Sequence, residues 1–333
     1  MKTSLPPVLL LVLLAGCPSG DDDDSATPPT GPSTLDCPEP GELPFTTQTA
    51  NWTAPGTQDV FTDTDPGYGG LDLLGPLGST TTITGVMARN ERFIATPIVG
   101  EWVSAWTFDE VGGWTELGRA QTDFDRGLYT IDVDASRLPE GDSRFYGLLE
   151  GAGHCVDHGL FPWPAGTQVI VSDIDGTLTL SDDELSAQLN DYEYVQQAWP
   201  GAVELTTTWQ GKGYGMVYLT ARTDELRSIT RPWLDDMGFA YGPISTSPEL
   251  VLGGTAADYK AGFLSRLLDD LQWDIIAVYG NAGSDIEAYA EVGIPLDRTF
   301  VIGENGGEGG TVAIEGGWDQ HIADFVVPFP DAD

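Results

Sequence analysis

From Thr167 onward the chain carries short apolar runs without alternation, and that pattern permits few folds. Val169-Ile170-Val171, Met216–Leu219, Ile275–Tyr279 and Thr299–Ile302 are each continuously hydrophobic. Strands of that kind are covered on both faces, as in a parallel sheet. Stretches of helical spacing separate them: Tyr259, Phe263, Leu267 and Leu271 recur every four residues and predict a helix over 259–271. Alternating strand and helix predict a doubly wound α/β domain over 165–333, with its ligand site at the carboxyl ends of the strands.

Residues 37–164 follow another pattern. Thr80–Val86, Trp102–Phe108 and Leu128–Val133 are alternating or β-branched and bounded by turn residues. Tyr129, Ile131 and Val133 share one face, as in a half-buried strand. An immunoglobulin-like β-sandwich is expected here. Trp102, Trp106 and Trp114 belong more readily to its core than to a sugar-stacking platform.

The first residues carry an address. Leu5 to Ala15 is an apolar run of eleven residues, too short to span a bilayer, and suits a signal-peptide core. Leu14-Ala15-Gly16-Cys17 resembles a bacterial lipobox, which makes 1–16 a lipoprotein signal peptide and Cys17 the lipidated N-terminus. Residues 17–36, rich in Asp, Pro, Ser and Thr, form a flexible acidic tether. The expectation is an exported cell-envelope lipoprotein, on the periplasmic side of the inner or outer membrane or at the cell surface. The two remaining cysteines, Cys37 and Cys155, are expected to form a disulfide in that oxidising compartment. His154 and His158 flank Cys155 but lack the further ligands a metal site needs. With 52 acidic against 14 basic residues the formal charge is −38. That excludes a nucleic-acid partner and unaided docking on anionic lipid, so membrane proximity must come from the acylated Cys17.

The chemistry concentrates at the strand ends. Asp173-Ile174-Asp175-Gly176-Thr177 directly follows the strand predicted at 169–172. Two carboxylates two positions apart point the same way and repel unless a cation accompanies them. Asp173 is then placed as a nucleophile that forms an aspartyl-phosphate. Asp175 can donate a proton to the leaving oxygen and later take one from water. An all-oxygen site suits Mg²⁺, with Asp173, Asp175, Asn281 and Asp285 as candidate ligands. Thr220, after strand 216–219, offers a hydroxyl to a phosphate, as does Thr177. Lys260, at the start of the helix 259–271, offers an ammonium. Asp173, Thr220, Lys260 and Asp285 follow one another at intervals of 47, 40 and 25 residues.

These elements resemble those of the haloacid-dehalogenase-like phosphatases. Asp173–Asp182 (DIDGTLTLSD) is similar to the catalytic segment of the lipins, Mg²⁺-dependent phosphatidate phosphatases. Pro200–Arg222, Tyr259–Leu264 (YKAGFL) and Val278–Gly293 (VYGNAGSDIEAYAEVG) resemble the related C-terminal domain of membrane-associated phosphatidylinositol-transfer proteins. There too a β-sandwich precedes the phosphatase-like domain. The resemblance covers about residues 168–303 well and the sandwich loosely. It implies a haloacid-dehalogenase-like fold with Asp173 as nucleophile, Asp175 as general acid/base, Thr220 and Lys260 on phosphate, and Asp285 on metal. Asn281 stands where many of the superfamily carry an Asp, and the lipins share its Gly-Asn. Some transfer-protein members bind phosphatidate without hydrolysing it, having lost a catalytic carboxylate; this chain keeps both.

Arg222, Arg227 and Arg231 follow Thr220 at or near helical spacing. Arg222 and Arg231 match lipin positions and are expected at a phosphate or glycerol backbone, with Arg227 on the surface. Pro232 should start or kink that helix. Seven of the 14 cations lie between residues 206 and 300, pointing to the site. The stretch 178–213 is too short for a large cap, so the mouth stays open to a bilayer headgroup. Gly303–Gly310 lacks the strand-to-helix setting of a dinucleotide fingerprint and is expected to be a loop. The sequence thus predicts a Mg²⁺-dependent phosphomonoester hydrolase with phosphatidate as favoured substrate and diacylglycerol as product. Two alternatives stand beside it: a broad periplasmic acid phosphatase for soluble phosphomonoesters, and a non-catalytic phosphatidate-binding module.

Overall fold

The computed structural model describes residues 52–54, 57, 65–91, 94–109 and 113–333. The expected signal peptide, tether, Cys17 and Cys37 lie outside them.

Period-2 patterning in the first half produces two facing sheets. One contains β1 (Asp65–Gly70), β3 (Thr80–Glu91), β4 (Ile94–Pro97) and β7 (Leu128–Asp134). The other runs in the order β2-β9-β8-β5-β6, from Leu73–Leu74, His154–Phe161, Ser143–Leu149, Trp102–Asp109 and Gly113–Gln121. Tyr129, Ile131 and Val133 are buried while Thr130 and Asp132 between them are exposed, as the alternation requires. They share a core with Ile83 and Met87 of β3 and with Val103, Phe145 and Leu160 of the opposite sheet. The tryptophans depart from expectation. Trp106 and Trp114 pack with Tyr146, Leu148 and Cys155 in a small separate cluster, and Arg119 lies 4.1 Å over the Trp102 ring. Cys155 is disulfide-bonded; Cys37, the partner expected for it, is outside the described residues. His158 is a core histidine: Tyr129 Oη lies 2.6 Å from its Nε2 and the Leu71 carbonyl 2.9 Å from its Nδ1.

The second half is a six-stranded parallel sheet in the order β12-β11-β10-β13-β14-β15. Its strands are β10 (Gln168–Ser172), β11 (Gly215–Thr223), β12 (Ile244–Ser247), β13 (Asp274–Gly280), β14 (Thr299–Ile302) and β15 (Val312–Ile314). The continuous apolar runs have the cause expected of them. Ile170, Met216, Tyr218, Ala277 and Tyr279 face a core built with α2 (Ala202–Gly211) and α3 (Arg227–Met237). Val169, Val171, Val217, Leu219 and Val278 face the other side, against α4 (Gly254–Ser265) and α5 (Gly283–Glu291). Burying both faces removes any place for an alternating polar residue. Strand order reverses between β10 and β13, and the crevice at their carboxyl ends is where an open α/β sheet holds a ligand.

Several boundaries differ from expectation. The helix foreseen over 259–271 begins at Gly254 and yields to a π-turn at Arg266–Asp270, so Lys260 stands mid-helix. Strand β11 continues to Thr223, which puts Thr220 inside it. The helix starts at Arg227 rather than at Pro232: α3 runs through Pro232 to Met237. Between the first two motifs lie only α1 (Asp183–Asn190), an irregular segment and α2. Among the described residues, no helix is long and apolar enough to cross a membrane.

Candidate active site

The loop leaving β10 turns sharply at Gly176, whose φ of 69° lies in the left-handed region. A Cβ there would collide with Asn281 Nδ2 and Asp182 Oδ1, so the turn needs glycine on both counts. Asp173, the first residue past β10, extends its pairing with β13: its N–H donates to the Tyr279 carbonyl at 3.0 Å.

Lys260 joins two buried carboxylates. Its Nζ donates to Asp173 Oδ1 at 2.6 Å and to Asp285 Oδ1 at 2.5 Å. The second oxygen of Asp285 accepts the backbone N–H groups of Asn281 and Ala282, both at 3.0 Å, which pins it at the start of α5. The second oxygen of Asp173 accepts the Thr177 hydroxyl at 3.0 Å, and that hydroxyl also lies 3.2 Å from Asn281 Oδ1. Burial pushes the Asp173 carboxyl up to about 7; the Lys260 ammonium opposes this, and Asp285 and Asp175 add to it. Burial likewise raises Asp182, against the amide of Asn281 that donates to it at 3.1 Å. Lys260 stays charged in spite of its burial because Asp173 and Asp285 face it.

Asp175 is engaged elsewhere. Arg222 donates to it from Nε at 3.1 Å (Oδ1) and 3.0 Å (Oδ2) and from Nη2 at 2.7 Å (Oδ1). Thr220 donates to Asp175 Oδ2 at 3.1 Å. The rest of the Arg222 guanidinium meets Thr230 Oγ1 at 3.0 Å and Gln196 Oε1 at 2.7 Å. Arg222 was expected on a phosphate; it is buried and holds Asp175 instead, because a bidentate carboxylate within reach satisfies its planar fork. Arg231, expected at a phosphate or glycerol backbone, and Arg227, expected on the surface, are both buried away from the site. Both end on Asp72 of the sandwich, at 3.2 and 2.6 Å. The cation-rich stretch therefore serves the domain interface as much as the site.

The expected ligand set is all oxygen, which suits a hard divalent cation. Among the described residues, no three His, Cys, Asp or Glu side chains surround one metal position. Two carboxylates, Asp173 and Asp285, do converge on a single cationic atom. One or two carboxylates completed by water and a substrate phosphate is the usual holding of Mg²⁺, so the pair fits that ion. Asp175, paired with Arg222, does not join them with its side chain.

Four participants escaped the sequence. Gln196 lies in the irregular segment before α2, where no spacing marks it. Thr230 looks like any helical threonine. Asp182 closes the DIDGTLTLSD segment, which was the one available hint. Asn305, in the glycine-rich loop, donates to the Asn281 carbonyl at 2.7 Å. With Gly176, Leu180, Trp199, Asn281 and Asp182 it lines a cavity of about 200 Å³ beside the cluster.

With this geometry in hand, comparison with known proteins is specific. Residues 170–303 match the LNS2 domain of PITM 1-3. The chain is 28 % identical over 214 residues to protein retinal degeneration B of Drosophila melanogaster, across 64 % of this chain and 16 % of that protein. It is 28 % identical over 237 residues to human membrane-associated phosphatidylinositol transfer protein 3, across 71 % of this chain and 21 % of the relative. The chain thus spans about a fifth or less of the length of the curated relatives it matches. Among solved structures, one from a Pnkp1/Rnl/Hen1 complex is similar over 45 % of each chain at 12 % identity, with a TM-score of 0.31. The LNS2 match begins inside β10 and ends after β14. It therefore contains Asp173, Asp175, Thr220, Lys260, Asn281 and Asp285.

Proposed function

We propose that the chain is a Mg²⁺-dependent phosphomonoesterase of the haloacid-dehalogenase type, acting on phosphatidate at a membrane surface. The observation that carries this reading is the buried Asp173–Lys260–Asp285 bridge at the carboxyl end of the central strand. In the first step an Asp173 oxygen attacks phosphorus, and the bond from phosphorus to the leaving oxygen breaks. Asp175 gives that oxygen its proton, which requires it to release one oxygen from Arg222. In the second step water attacks the aspartyl-phosphate, Asp175 takes the water proton, and inorganic phosphate leaves with Asp173 restored. Lys260, Thr177 and Thr220 balance and orient the phosphoryl oxygens. Mg²⁺ held by Asp173 and Asp285, with Asn281 beside them, would neutralise phosphate and carboxylate charge together.

Several matched relatives, human membrane-associated phosphatidylinositol transfer protein 3 among them, are named as phosphatidylinositol transfer proteins, which supports a phospholipid as the ligand. The membrane enters through the lipobox-like Cys17, in an exported lipoprotein. One observation favours a second reading, a phosphatidate-binding module without turnover: both oxygens of Asp175 are occupied by Arg222 and Thr220. Purified protein mixed with phosphatidate micelles and Mg²⁺ separates the two. Release of phosphate supports the enzyme; co-sedimentation with phosphatidate liposomes without release supports the module.

A further inference from the structure

We infer that the β-sandwich positions the active site: Asp72, between β1 and β2, fixes α3, and through Thr230 and Arg222 it sets where Asp175 stands. The catalytic arm of this inference rests on the reading above; its structural arm does not.

Asp72 is 2 % exposed in its side chain and accepts four donors. Its Oδ1 accepts Arg227 Nη2 at 2.6 Å and the Gly159 N–H at 2.8 Å. Its Oδ2 accepts Arg231 Nη2 at 3.2 Å and the Ile244 N–H at 2.7 Å. One carboxylate thereby ties β9 of the sandwich to α3 and β12 of the α/β domain. Burial opposes its charge, yet the two guanidiniums and two N–H groups hold Asp72 below the usual carboxylate range. Removing that charge takes from the buried Arg227 its carboxylate partner and leaves the buried Arg231 with the more distant Asp157 carboxylate, 3.9 Å from its Nε.

The same helix grips Arg222. Thr230, between the two arginines, takes Arg222 Nη1. Trp233 Nε1 donates to the Gln196 carbonyl at 3.0 Å, and the Gln196 side chain takes Arg222 Nη2. What remains of the guanidinium holds Asp175. The sandwich also closes on the turn Asp224–Leu226 that joins β11 to α3. A Cβ on Gly69 of β1 would collide with the Asp224 carbonyl, and Arg126 pairs with the Asp224 carboxylate at 3.4 Å. The stretch that follows Arg222 is thus held from the sandwich at its turn, through Asp224, and along α3, through Arg227 and Arg231. A mere adhesive contact would lower stability and leave turnover of the folded protein unchanged. A positioning contact lowers kcat, because a side chain displaced by about 1 Å from its working geometry costs up to about a hundredfold in rate.

The test uses the full chain with Asp72→Asn, and Arg119→Ala as a remote sandwich control. Initial rates on p-nitrophenyl phosphate with Mg²⁺ give kcat and KM, and amide hydrogen exchange is followed across the chain. For Asp72→Asn we expect kcat to fall between about tenfold and a hundredfold with KM little changed. Exchange should accelerate over 220–237, and Arg119→Ala should match wild type. Unchanged kcat together with unchanged exchange over 220–226 in folded Asp72→Asn overturns the inference. If Asp72→Asn does not fold, Thr230→Val, which cuts the link to Arg222 and spares the interface, must show the same kcat loss; wild-type kcat there overturns it. If wild-type protein turns over no phosphomonoester, the functional reading has failed, and the exchange at 220–226 alone decides the inference.

Discussion

Arg222 holds both carboxylate oxygens of Asp175, with Nη2 2.7 Å from Oδ1 and Nε 3.0 Å from Oδ2. On the proposed mechanism this makes Arg222 the residue that orients the proton-transfer group rather than a phosphate ligand. Arg222→Lys keeps the charge but loses the planar fork. Phosphate release should fall at least about tenfold, chiefly in kcat. A phosphate ligand would instead show its loss mainly in KM, so steady-state kinetics on a soluble phosphomonoester distinguishes the two roles.

Lys260 is the only cation that the described ion pairs place on Asp173 and Asp285. Lys260→Met leaves two buried carboxylates facing each other. Breaking a buried pair in that way costs about 3–5 kcal/mol, to be read from urea denaturation. Mg²⁺ should restore part of the loss and leave a further Asp285→Asn variant unaffected.

Gly176 occupies a left-handed turn, and any Cβ meets Asn281 and Asp182. Gly176→Ala should cost about 1–2 kcal/mol in backbone strain alone. Activity should fall further than stability, because the displaced Asn281 amide shares the Thr177 hydroxyl with Asp173. Thermal denaturation and rate assays on the same preparation check both.

How much of this was legible in the sequence follows from what each signal measures. The runs at 169–171, 275–279 and 299–302 became neighbouring parallel strands because burial on two faces is written residue by residue. Asp173, Lys260 and Asp285 met as their positions at strand ends and on a following helix suggested, and strand topology alone brings such ends together. The arginines were misjudged for a different reason. A guanidinium shows its charge in sequence but not its counter-ion. Arg227 pairs with a carboxylate 155 residues away, which no local pattern records. The start of α4 at Gly254 was missed because the apolar spacing begins only at Tyr259, and its first turn carries no capping side chain.

His158 gives the fold a pH dependence that is independent of the site. Burial lowers its pKa from 6.5 to about 4, so it stays neutral in the folded state. The unfolded state therefore binds more protons across that window, and stability rises with pH through it. Contributions from His158 are complete above 6.5 and lost progressively as pH falls toward about 4. A shift of this size corresponds to about 3 kcal/mol. Urea midpoints measured between pH 4 and 7 should show a slope that His158→Gln makes less positive; His321, also lowered to about 4, acts in the same sense, and Asp173, raised to about 7, opposes both.

The central claim is that Asp173 is a nucleophile and not merely a buried acid paired with Lys260. Its most direct test is inorganic phosphate released from phosphatidate micelles by purified protein with Mg²⁺, beside folded Asp173→Asn. The account predicts chelator-sensitive release by the wild type and none by the variant. Equal release by both proteins, or none by a folded, Mg²⁺-bound wild type on any phosphomonoester, would contradict it.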